Sequence, residues 1–194
     1  MKKVGIAVTL IVAVVVGADS YAQTGPASGG QLTRMESYFE VPSISSTGQG
    51  EFRTKIDEND ETIAYTLTWE NLEVGATQAH IHFGQRSVNG GISVFLCTNL
   101  GNAPTPPAPA TQLCPVGPSG TISGVITPAH VVGPTVQGIE PGSFAELVAA
   151  MKEGFTYVNI HSARYPGGEI RGQIGANRAD NTGEAQDVPP APSQ

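Results

Sequence analysis

The octapeptide "TIAYTLTW", Thr62–Trp69, decides the architecture. Ile63, Tyr65, Leu67 and Trp69 alternate with Thr62, Ala64, Thr66 and Thr68. Successive side chains of a strand point to opposite faces, so this period of two sets an apolar row against a core. Its β-branched and aromatic content suits a pleated surface. Upstream, "EFRTKID" (51–57) and "MESYFEV" (35–41) alternate more weakly, and "PSISSTGQG" between them supplies Pro, Ser and Gly for a turn. "DEND" (57–60) is a second turn. Further strands are expected at Thr77–Phe83, Ile92–Cys97, Gly120–Thr127, Phe155–His161 and Glu169–Ile174.

A single helix interrupts this pattern. Ser143 and Glu146 have capping-box spacing, and "FAELVAAMKEG" puts Phe144, Leu147, Val148 and Met151 on one face. Lys152 falls in the last turn, and Gly154 is a left-handed stop. The chain therefore reads as mainly β: an antiparallel β-sandwich or Greek-key barrel with one short helix at about 143–153.

The N-terminus reads as a signal peptide, residues 1–22. Lys2 and Lys3 precede an apolar run from Val4 to Val16, and Ser20-Tyr21-Ala22 offers small residues for cleavage. Residues 23–33 are expected to be flexible, 34–175 to form one β domain, and 176–194 to be a disordered tail of Asn, Asp, Gly, Pro and Ala. After cleavage no segment spans a membrane. The mature chain loses Lys2, Lys3 and Asp19, leaving 8 basic against 16 acidic side chains. That balance excludes nucleic acid, whose binding needs clustered cations. A secreted or periplasmic protein is the reading.

Cysteine use agrees with export. Cys97 and Cys114 are the only two, and they bracket a Pro-rich stretch within 98–118. A disulfide there closes the base of a surface loop and stabilises by about 3 kcal/mol on the loop-entropy model.

Strand parity also gathers the polar residues. His80 and His82 share one face of their strand, opposite Ala79, Ile81 and Phe83. Tyr157, Asn159 and His161 oppose Val158 and Ile160, while Glu169, Arg171 and Gln173 oppose Ile170 and Ile174. "SARYPGG" makes the last two strands a hairpin, bringing His161 toward Glu169 or Arg171. Two readings of the cluster stand side by side. His80, His82 and His161 can hold zinc or copper, with Glu169 as a fourth or supporting group. Alternatively, the imidazoles belong to a hydrogen-bonded polar network. Glu169 and Arg171 are expected to pair as ions that brace the hairpin, and Tyr157 and Asn159 join them as ligand candidates. His130, between prolines, reads as a surface residue, and Trp69 as core. No catalytic residue is assigned. Gly-x-Ser-x-Gly is absent from the sequence, and adjacent strand residues such as His161 and Ser162 face apart.

"QAHIHFGQRSVNGGISVFLC" and "GFTYVNIHSARYPGGEIRGQI" resemble the two hallmark segments of the CHRD (chordin) domain, in its single-domain exported bacterial form. In the second segment Gly154, Tyr157, Asn159, His161, Pro166, Gly168, Glu169, Arg171 and Gly172 keep the family's order. The first segment contributes His80, His82, Gly84, Gly90 and Gly91. Ser162 stands where the family often has Thr, and the Pro-rich insertion at 98–118 departs from the pattern. The resemblance implies an immunoglobulin-like or Greek-key fold. It also implies a non-catalytic binding or structural module of the cell exterior, which would recognise an extracellular protein or glycan. The alternative is a zinc or copper redox or carrier protein.

Overall fold

The computed structural model describes residues 30–105 and 108–175. The predicted signal peptide and the predicted tail from 176 onward lie outside them. Eight strands form one antiparallel sheet: β1 (Gln31–Glu36), β2 (Gln49–Asp57), β3 (Thr62–Glu70), β4 (Ala76–Phe83), β5 (Gly91–Thr98), β6 (Gly120–Ile126), β7 (Thr156–Ser162) and β8 (Ile170–Ile174). Their spatial order is β5-β4-β7-β8-β1-β2-β3-β6. The expected antiparallel β architecture takes the form of a single sheet curled into a half-barrel. Helix α1 (Phe144–Lys152) is the one α-helix of the described residues.

The apolar row of β3 anchors the core as its alternation requires. Ile63 and Leu67 are fully buried and Trp69 nearly so. Phe52 on β2 lies opposite Leu67 in the register. From the other half of the sheet come Ala79, Ile81, Val158, Ile160, Ile170 and Ile174, and α1 adds Phe144, Leu147, Val148 and Met151. A side chain of this kind, fully buried, contributes about 1.5–3 kcal/mol. By contrast, the Lys152–Glu58 pair that tethers α1 to the β2–β3 turn is 2.6 Å long but half exposed on both sides. Lys152→Ala is expected to cost less than about 1 kcal/mol in urea unfolding. A loss above 2 would mean that the pair, rather than the apolar face, holds the helix.

The two edges of the sheet, β5 and β6, are consecutive in sequence. Of the chain between them, residues 99–105 and 108–119 are described. Cys97 and Cys114 are bonded at its base, with a Cα–Cα distance of 5.0 Å. Thr98 N–H donates to Gln112 O (3.0 Å). The Gln112 amide reaches Tyr65 Oη on β3 (2.8 Å) and Ser123 O on β6 (3.3 Å). Each such bond takes one edge group that a foreign strand would otherwise use.

Four local expectations need correction. The strand expected over 35–41 begins at Gln31 and stops at Glu36, and Ser37–Phe39 form a 3-10 turn. There the Ser37 hydroxyl donates to Ser46 O (2.9 Å) and Ser37 O accepts from Ile44 N–H, so loop bonds claim the groups a strand would use. Gln31, Leu32 and Thr33 accordingly pair with β2 and do not belong to a flexible segment. Ser143 does sit at the N-cap of α1, but it makes no side-chain capping bond. Its own N–H is committed to Glu140 O, in a tight turn that enters the helix from Gly142. A reciprocal cap occurs instead at Thr127 and His130. The His130 Nδ1 accepts from Thr127 N–H (3.1 Å) and lies 3.0 Å from its hydroxyl, so His130 is half-buried and locally bonded. Among the described residues no helix is long and apolar enough to cross a membrane.

Candidate functional site

The outer face of the sheet divides in two. Over β1, β2 and β3 it carries exposed charge, as in the Arg53–Glu51 pair. Over β4, β7 and β8 the same face is buried, although its residues are polar. His80, His82, Asn159, His161, Arg171 and Gln173 are all at or below 8% exposed. Sequence parity gathers these residues on one face but does not say what lies above it. In the structure two segments roof them, residues 37–47 and 84–91.

Register brings the residues together. β4 and β7 pair so that His80 faces Asn159, His82 faces Tyr157, and Gln78 faces His161. β7 and β8 place Asn159 against Arg171 and Tyr157 against Gln173. One nitrogen from each of His80, His82 and His161 then lies within 4.8 Å of the other two. The expected face-sharing of the three histidines is what the fold contains.

Hydrogen-bond logic assigns the protons. A backbone carbonyl only accepts. His82 Nδ1 lies 2.9 Å from Gly90 O, and His161 Nδ1 lies 2.9 Å from Pro166 O, so both Nδ1 atoms carry hydrogen. Burial keeps the rings neutral. It lowers His80 to about 2, reinforced by the other two imidazoles, and His82 to about 4. His161 is lowered by burial as well. A neutral ring protonated at Nδ1 presents a lone pair at Nε2. The His161 lone pair meets His80 Nδ1 at 3.2 Å, which therefore donates to it. The Asn159 Oδ1 stands 3.1 Å from the same nitrogen. Buried Nε2 atoms of His80 and His82 have no partner. Two lone pairs, on Nε2 of His80 and of His82, are thus left unpartnered in the cluster, while that of His161 accepts from His80.

The walls are aromatic. Phe95 on β5 meets His80 edge-on at 4.5 Å between ring centres. His82 stacks on Tyr157 at 4.7 Å, nearly parallel. β7 lies between β4 and β8, so Arg171 reaches Tyr157 from the other side, its guanidinium carbon 3.3 Å from the ring centre. Arg171 also donates to Val88 O (2.7 Å), Gln85 O (3.3 Å) and Asn89 Oδ1 (3.2 Å), and so fastens the 84–91 segment down. Gln173 adds bonds to Gly84 O and Gly154 O, both 2.8 Å. Glycine at 90 is a steric demand, because a Cβ there would fall 1.7 Å from Phe83 O. That close approach puts the Gly90 carbonyl on His82 and its N–H on Tyr157 Oη (3.2 Å).

Glu169 and Arg171 do not form the expected ion pair. The ion pairs among the described residues are Arg53–Glu51 and Lys152–Glu58. Glu169 Oε1 accepts from Glu73 N–H (2.8 Å) and the Ser46 hydroxyl (3.0 Å), and the carboxylate is outside the imidazole group. Separate loops capture the two charges before they can meet. His161 likewise bonds to Pro166 and His80, with Asn159 Oδ1 beside its Nε2, and not to Glu169 or Arg171.

Glu40 is the residue sequence reasoning missed. It is 5% exposed, and burial raises its carboxyl to about 7 against the opposing charge of Arg171. Gly168, at φ +129°, makes room for it: a Cβ there would fall 2.4 Å from Glu40 Oε1. The signal was a lone acid between Phe39 and Val41-Pro42, which a weak strand pattern concealed. Phe95 and Asn89 were missed as well, since only pairing and loop closure bring them here.

This fold and site define a class: a single-sheet antiparallel β module whose buried outer face carries a roofed imidazole cluster. The family model described as CHRD domain matches residues 32–174, and the chain belongs to that family. No curated protein and no solved structure matched the chain.

Proposed function

We propose that this chain is an exported, non-catalytic CHRD module whose buried cluster of His80, His82 and His161 holds one zinc or copper ion. The observation that carries the reading is the set of three buried imidazoles, in which His82 and His161 donate Nδ1–H to backbone carbonyls, Nε2 of His80 and His82 is unpartnered, and a bound ion would take the place of the His80 proton at His161 Nε2. Bonds of that kind orient metal-binding histidines and raise their basicity. The enclosure of the cluster favours a structural or carrier role over turnover, since a substrate would need to cross the roof. Export rests on the apolar leader read at residues 1–22 and on the disulfide. Purified without chelator, the domain is expected to carry close to one equivalent of metal by mass spectrometry. A His80→Ala/His82→Ala variant loses it, and added metal raises Tm in the parent alone. Substoichiometric metal in both, with identical melting, overturns the reading.

A second reading concerns the outside of the roof. Tyr38 and Phe39 are exposed and line a cleft with Glu40, Arg86, Arg171 and Gln173. Exposed aromatics beside charged donors suit recognition of an extracellular protein or glycan through the loops.

A further inference from the structure

Resting on the metal reading above, we infer that the ion this centre selects is monovalent copper rather than zinc or divalent copper. The donor set is the first ground. Among the described residues the group contains three imidazoles and neither carboxylate nor thiolate. Glu169, the acid expected beside the histidines, is already bonded to Glu73 and Ser46. Each nitrogen donor is neutral, so the ion keeps its full charge.

Burial makes that charge decisive. The cost of taking an ion out of water scales with the square of its charge, so a divalent ion costs roughly four times as much as a monovalent one of similar size. His80, His82 and His161 are 1%, 8% and 7% exposed. Around the cluster Arg171 adds cost for positive charge, which the buried Glu40 carboxyl, raised to about 7, offsets only in part. Arg171 stands across a single phenol ring from His82, bonded to neutral acceptors on the roof. Phe95 closes the side of His80 with hydrocarbon.

Coordination number points the same way. Zinc on three protein ligands takes a water as its fourth, and divalent copper prefers a tetragonal set. Cuprous ion, a filled-shell monovalent ion, is satisfied by three. The fourth donor within reach is the amide oxygen of Asn159, 3.1 Å from His161 Nε2 and also neutral. Even a four-ligand site would leave a divalent ion uncompensated.

The test uses the full-length protein, stripped of metal and reloaded. Under anaerobic conditions with ascorbate, one equivalent of cuprous ion is expected to bind and to resist a hundredfold excess of zinc. Copper loaded as the cuprous ion and then exposed to air is expected to remain silent in electron paramagnetic resonance. Asn159→Asp supplies the missing anionic donor with almost no change of shape, and is expected to raise zinc affinity at least tenfold relative to cuprous ion. Displacement by zinc, or a divalent copper signal in air, overturns the inference and leaves the metal reading intact. An unchanged preference in Asn159→Asp overturns the charge argument on which the inference stands. Failure of every ion to bind rejects the metal reading itself.

Discussion

Arg171→Ala is expected to lower the stability of the domain by about 3–5 kcal/mol, read as a shift of the denaturant midpoint at unchanged slope. The side chain is 2% exposed. Its guanidinium donates to Val88 O, Gln85 O and Asn89 Oδ1 and covers the Tyr157 ring. Truncation removes the donors but leaves the acceptors facing a void. Hydrogen bonds to a charged group are worth about 1.5–3 kcal/mol each, and a desolvated cation–π contact about 2. These contributions are not additive, because the 84–91 segment can lift and let water in. That lifting is itself part of the expected result. Amide exchange at residues 85–90 should accelerate far more than in β2 or β3, since Arg171 is the main tether of that roof. Arg171→Lys is expected to recover less than half the loss, because an ammonium cannot serve three divergent acceptors and lie flat on a ring. A loss below 1 kcal/mol in Arg171→Ala would mean that the roof is held by something else.

Acidification should destabilise the metal-free domain, measured in the presence of chelator. An unfolded histidine titrates near 6.5, whereas folded His82 stays neutral to about 4 and folded His80 to about 2. As pH falls below 6.5 the unfolded chain takes up protons that the folded chain refuses. The stability is thus intact above 6.5 and drains away below it, at about 1.4 kcal/mol per pH unit for each histidine. His161, lowered in the same direction, adds to the loss. Glu40 acts with the opposite sign. Its folded pKa of about 7 exceeds the ordinary 4.5, so its cost is greatest above 7 and is relieved as pH falls toward 4.5. Between pH 6.5 and 4.5 two histidines lose what one carboxyl partly returns, a net loss of about 3 kcal/mol. Glu40→Gln removes the offset. That variant is expected to be more stable than the parent at pH 8 and to lose about 5 kcal/mol across the same window. Flat stability from 6.5 to 4.5 in both proteins would show that the histidines are not held neutral by the fold.

Much of this structure was legible in the chain because one face of each strand must be dry. Ile63, Leu67, Val158 and Ile160 announce their strands by alternation, and alternation in turn fixes which side His80, His82, Asn159 and His161 share. The disulfide was legible from the pair of cysteines and the leader-like N-terminal sequence. Capping was not legible. Ser143 has the right neighbours for a box, but Gly142 and Glu140 fold back first. Glu40 was hidden because its burial depends on Gly168, 128 positions away, leaving room for a carboxylate.

The amino-acid sequence by itself determined the strands, the parity of their faces and the sulfur bridge. Each of these follows from local periodicity or composition. Tertiary structure alone decided that the polar face is an interior. β4, β7 and β8 had to become neighbours in the order of the sheet. Two loops then had to close over them, one pinned by Arg171 and the other carrying Glu40. Burial is a property of what lies above a residue, and no pattern within a strand encodes its roof. That roof keeps the imidazoles neutral and makes "QAHIHFG" a candidate metal centre instead of a solvated pair of histidines.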